Sequence, residues 1–119
     1  MRAALEEQLR RLALHDEECI ASVLAMDLGD DGGRGLDAKT HALVRLGALL
    51  ALGAAPVSYH WNVGAALDAG ATPEEILGVL IAVAPISGIA RVVEATPDVA
   101  LSMGYDLDAA FEELNQDQH

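Results

Sequence analysis

The run Ala66-Leu67-Asp68-Ala69-Gly70-Ala71-Thr72-Pro73-Glu74-Glu75-Ile76 decides how this chain is read. Thr72 offers a capping hydroxyl, Pro73 sits at the first helical position and Glu75 at the third, so a helix starts there. It carries Ile76, Leu77, Val79, Leu80 and Val83 as its apolar side. Gly70 ends the helix before it, which runs from Pro56 through Trp61 to Ala69 with proline in its first turn. Upstream of the break at Gly53 to Pro56, Asp37 is placed to cap a helix from Ala38 to about Leu52, with Leu43, Leu46 and Leu50 on one side. The two helices form a hairpin.

Working outward, residues 3–26 show apolar residues at helical spacing, interrupted near His15 and Asp16, where Asp16 can cap a new turn. Two short helices or one kinked helix fit this stretch. Gly29 to Gly35, with Asp30 and Asp31, has too much backbone freedom and charge for a helix and reads as a flexible loop. Downstream, Pro85 kinks or ends the helix begun at Pro73, and a helix from Ile86 to Glu94 is expected next. Thr96-Pro97-Asp98 repeats the start signal for a helix from Val99 to Met103, ended by Gly104. Asp106 caps a last amphipathic turn or two, Leu107 to Leu114, before a polar tail over 115–119 that ends at a mobile His119. No alternating run survives as a strand. The expectation is a single all-α domain of about six helices over residues 1–119.

The chain has 119 residues, 52% of them hydrophobic, with 7 Lys+Arg against 19 Asp+Glu for a formal net charge of −12. A mean hydropathy of +0.27 argues against disorder despite that charge. An acidic chain repels phosphate backbones and anionic lipid heads, so nucleic acid and membrane are excluded as main partners. The longest stretch without Asp, Glu, Lys, Arg or His, Ile76 to Ala90, is shorter than the roughly 20 residues a bilayer requires and holds Pro85 and Gly88. A single cysteine, Cys19, leaves no intramolecular disulfide and no cysteine-rich zinc site. Cytoplasmic residence is the expectation, since the opening residues mix Arg with Glu6 and Glu7 instead of running a basic patch into an apolar stretch. Aromatic residues make up only 3% of the chain. An Ala, Leu, Val and Gly core needs close helix packing, and helices apolar nearly all round exceed what one small monomer covers. A homo-oligomer is therefore expected.

Leu36-Asp37-Ala38-Lys39-Thr40, the helix to Gly53, the block Ala66 to Ile76 and Ala82-Val83-Ala84-Pro85 with Gly88 together resemble the carboxymuconolactone decarboxylase family, which includes alkylhydroperoxidase D-like proteins. The resemblance covers about residues 36 to 95. It implies an alkylhydroperoxidase D-like helical fold assembled as trimers or hexamers, with a pocket lined by the hairpin helices. It also implies, for the thiol branch, a Glu, a Cys-x-x-Cys pair and a His on that hairpin. Counted back from Gly70, the cysteine positions fall on Ala55 and Ser58 and the histidine on Asn62. Counted forward from Lys39, they fall on Ala54, Val57 and Trp61, with the glutamate on Ala42. Neither register supplies a thiol, so a peroxidase cycle through the hairpin is excluded.

What remains for chemistry is imidazole and guanidinium. His60, in Ser58-Tyr59-His60-Trp61-Asn62, could protonate the enolate left by loss of CO2. Its plainer role is that of a surface or hydrogen-bonded helix residue. His41 and Arg45 are one turn apart on one helix face, His41 as a second proton carrier and Arg45 as a bidentate clamp for a carboxylate. The structural alternative for Arg45 is a salt bridge between helices or subunits. Asn62, Tyr59 and Trp61 are candidates for lining the pocket, with filling of gaps in an alanine-rich core as the alternative for the two aromatics. Arg91 and Glu94 have the spacing of an ordinary surface pair, and His15 with Cys19 lacks a third ligand. No cofactor and no metal are expected. The functional expectation is a decarboxylase or related lyase for a small carboxylated or lactone compound; the alternative is a non-catalytic oligomeric ligand-binding or scaffold protein.

Overall fold

The computed structural model describes residues 2–24 and 35–107. These form α1 (Arg2–Ala13), α2 (Glu17–Leu24), α3 (Ala38–Leu52), α4 (Pro56–Asp68), α5 (Pro73–Ser87) and α6 (Ile89–Ser102), with no strand among the described residues. The all-helical reading with about six helices holds over the described residues. The loop expected over 29–35, apart from Gly35, lies outside the described residues, as do the last helix beyond Leu107 and the tail with His119.

The start signals act through side chains where the sequence places them. Asp37 accepts from the Thr40 amide at 2.7 Å to cap α3, and the Thr40 side chain first, with that amide second, holds its carboxyl below the ordinary range. Thr72 and Glu75 complete a reciprocal capping box at α5. Pro56 opens α4. Between α1 and α2, His15 takes a left-handed φ of 56° and Asp16 accepts from the Cys19 amide at 2.9 Å, so the N-terminal stretch is two helices.

Both expected breaks in the C-terminal half are corrected. α5 runs through Pro85 to Ser87 and stops at Gly88, whose φ of 96° a side chain would resist. The helix expected from Ile86 to Glu94 instead starts at Ile89 and continues through Pro97 to Ser102. Thr96 does not cap a new helix: its hydroxyl donates back to the Val92 carbonyl at 2.6 Å, inside the ongoing turn.

The core lies among α3, α4, α5 and α6. Leu46, Leu50, Val63, Ile76 and Val99 are fully buried at its centre, each worth roughly 1.5–3 kcal/mol against exposure. Small residues let the helices approach: a methyl added at Gly47 would stand 3.5 Å from Val79 and Val83 of α5. α1 and α2 pack on each other, and neither contributes a buried residue. No helix of the described residues is long and apolar enough to cross a membrane.

Candidate functional site

The α3–α4 hairpin positions most of the side chains singled out by sequence. On α4, Tyr59 and Asn62 turn inward, 3% and 8% exposed, while His60 is exposed and Trp61 is 64% exposed. The inward pair spends its polar atoms within the chain. The Ala54 amide donates to the Tyr59 hydroxyl at 3.0 Å, and Asn62 Nδ2 donates to the Ser58 carbonyl at 2.8 Å. On α3, His41 and Arg45 are half-buried.

The helices are joined by Gly53 to Ala55 and pack against each other, so they run antiparallel. At about 1.5 Å per residue, Arg45 stands about 5 Å farther from the turn than His60, and His41 about 6 Å farther than Arg45. Arg45 therefore lies between the levels of His60 and His41, with His41 the farthest from the turn. Neither histidine nor Arg45 lines a described cavity. The positions where a thiol would stand in either register, Ala54, Ala55, Val57 and Ser58, present methyl, isopropyl and hydroxyl groups in place of sulfur.

A different set of residues builds the polar cleft next to the hairpin turn. Its volume is about 450 Å³, bounded on one side by Gly53, Ala54, Pro56 and Tyr59 and on the other by Arg91, Glu94 and Asp98 of α6. Arg91 does not pair with Glu94. Its Nη1 donates to the Leu52 carbonyl at 2.8 Å, neutralising the carbonyl end of α3. Gly53 makes room for this, because a methyl there would stand 2.7 Å from that nitrogen. Glu94 and Asp98 have no ion-pair or hydrogen-bond partner for their carboxylates among the described residues.

This cleft escaped the sequence reading for one reason. Arg91, Glu94 and Asp98 stand at i, i+3 and i+7, a single helix face, but only when α6 continues through Pro97. A helix stopped at Glu94 removes Asp98 from that face and leaves the other two looking like a surface pair.

Cys19 is half-buried between α1 and α2 beside Leu9 and Leu12. Among the described residues no three His, Cys, Asp or Glu side chains come together as metal ligands.

Residues 17–97 match the family model described as "Carboxymuconolactone decarboxylase family". The match begins at the first residue of α2, upstream of the stretch that carries the sequence resemblance. No curated protein and no solved structure matches the chain.

Proposed function

The chain belongs to the carboxymuconolactone decarboxylase family, and from that premise we propose that it works as a thiol-free, homo-oligomeric lyase on a small carboxylated or lactone compound. The observation that carries this reading is the outward flank of α4. The hairpin has no sulfur, and its one solvent-facing imidazole, His60, stands beside exposed Trp61 and near the level of Arg45. Trimers or hexamers are the assemblies that family membership favours, and the exposed apolar side chains of α4 and α5 give such an assembly its contact area. The site is then completed by a second copy laid over the flank. His41, a turn before Arg45, is the second imidazole available to it.

In such a site Arg45 holds a carboxylate that the reaction retains, through a bidentate guanidinium pair. Loss of CO2 breaks the carbon–carboxylate bond and leaves its electron pair as an enolate on the neighbouring carbonyl. His60, protonated, delivers its proton to the carbon, and solvent restores it. Trp61 covers one side of the compound; Tyr59 and Asn62 act from beneath by fixing α4 in place.

A second reading, a non-catalytic ligand-binding or scaffold protein, is favoured by a specific observation: within one copy no described cavity contains His60, His41 or Arg45. CO2 release from a panel of β-keto carboxylates and carboxylated lactones separates the two. The lyase reading expects turnover by the wild type and a loss of about 100-fold or more in His60→Ala and Arg45→Ala. Turnover unchanged by either substitution, or none with any compound, gives the case to the second reading.

A further inference from the structure

The cleft between the hairpin turn and α6 has the charge layout of a binding site, separate from the His60 flank and independent of the lyase reading. One end is positive. Arg91 uses Nη1 on the Leu52 carbonyl, which leaves other guanidinium N–H groups to donate. α4 starts beside it at Pro56, which has no N–H to offer, so that helix contributes the positive end of its dipole there. Tyr59, buried at 3% exposure and lining the cleft, accepts from Ala54 and keeps its own O–H proton to donate.

The other end is negative. Glu94 and Asp98, one turn apart on α6, line the same space, their carboxylates without partners among the described residues. Along the helix axis they stand about 4.5 and 10.5 Å from Arg91. A lone anion would meet two carboxylates here, and a lone cation would meet a guanidinium. A short molecule with an anionic and a cationic end matches both.

We propose that this cleft binds a small zwitterionic aminocarboxylate, its carboxylate against Arg91 and the Tyr59 hydroxyl at the positive end of the α4 dipole and its ammonium between Glu94 and Asp98. The summed charge of the three side chains is −1, so a compound with a second amino group is accommodated better than one with a second carboxylate. The apolar edge supplied by Pro56 and Ala95 suits a short methylene chain.

The test is titration of the full-length protein with 4-aminobutyrate, followed by amide NMR shifts, with butyrate and butylamine as single-ended controls. The expected result is saturable shifts at Gly53, Ala54 and Val57 in the millimolar range, with each control about tenfold weaker or more. Glu94→Gln with Asp98→Asn should abolish the preference for the zwitterion. Those two carboxylates hold no bond among the described residues, so the doubly substituted chain stays folded, and Glu74→Gln, at the start of α5 and outside the lining of the cleft, should bind like the wild type. Three outcomes overturn the proposal: no saturable shift up to about 20 mM, equal binding of butyrate or butylamine, or full binding by the doubly substituted chain.

Discussion

Lys39 Nζ and Glu75 Oε2 stand 3.0 Å apart, so α3 and α5 are tied by two residues that the sequence places at the starts of separate helices. Glu75 uses its other oxygen, Oε1, to accept from the Thr72 amide at 3.0 Å and close the capping box. One carboxylate thus fixes a helix terminus and its angle to a neighbouring helix. These are also two separate parts of the family-like pattern, the Lys39-Thr40 start and the Thr-Pro-Glu-Glu block.

The Thr72 amide bond first, and Lys39 second, hold the Glu75 carboxyl below its ordinary value of 4.5. A carboxyl lowered in the folded state adds stability that is present above the unfolded value and is lost as pH falls through the folded one. Glu75→Gln should therefore melt below the wild type at neutral pH, with the gap closing as pH drops under 4.5. Added salt should narrow the gap but not remove it, because the short amide bond is screened less than the half-buried Lys39 pair. Thermal melts across pH check this; a gap indifferent to pH would assign the loss to packing instead.

Two glycines should respond oppositely to the same added methyl. Gly53 has φ 78° and ψ 113°, and its methyl would displace Arg91 Nη1 from the Leu52 carbonyl. The combined backbone strain and lost bond put Gly53→Ala at about 1–3 kcal/mol of destabilisation. Gly47 is inside α3, where a methyl meets only ordinary contacts with Val79 and Val83. Gly47→Ala should stabilise by about 0.5–1 kcal/mol through helix propensity. Urea denaturation of the two variants reads both signs.

Leucine truncations should separate the core from the surface of the same helix. Leu46 is fully buried, and Leu46→Ala should cost about 2–5 kcal/mol by opening a cavity among α3, α4, α5 and α6. Leu52, six residues later, is 75% exposed, and its replacement by Ala should stay within about 0.5 kcal/mol. Denaturant midpoints at constant slope are the readout.

The helix starts at Asp37, Pro56 and Thr72 were legible because each is set by side-chain chemistry within four residues of the boundary. The Thr96 start was not, although Thr96-Pro97-Asp98 looks like Thr72-Pro73-Glu74. The difference lies one residue later. Glu75 can return a bond to its cap, whereas Val99, in the same position after Thr96, cannot, and it is buried completely in the core instead. Packing of Val92, Ala95, Val99 and Ala100 on one stripe outweighs the bond lost at Pro97, so the helix continues. The Arg91, Glu94 and Asp98 face became visible only with that continuity. For the hairpin residues, sequence placed Tyr59, His60, Trp61 and Asn62 on the right helix. Which of the four turns inward depends on where α3 and α6 cover α4, a long-range fact no local pattern contains.

The remaining prediction concerns the uncovered apolar surface. Trp61 and Ile81 are each 64% exposed, and Ile86 is 86% exposed, although the chain has so few aromatic residues that a tryptophan left in water is poorly used. A proposed interface between copies explains their placement, because large side chains at the centre of such a contact carry most of its energy. Trp61→Glu or Ile81→Glu would then bury an unpaired charge in the contact, costing several kcal/mol per interface. Within a single copy both positions face solvent, so the helical content of each variant should match the wild type. Light scattering after size exclusion should show the wild type as an oligomer and each variant shifted to smaller species, while circular dichroism stays unchanged. A wild type that elutes as a monomer at micromolar concentration would remove the interface, and with it the shared site over the His60 flank. Variants that keep the wild-type mass would locate the contact on other faces, leaving Trp61 as an exposed residue.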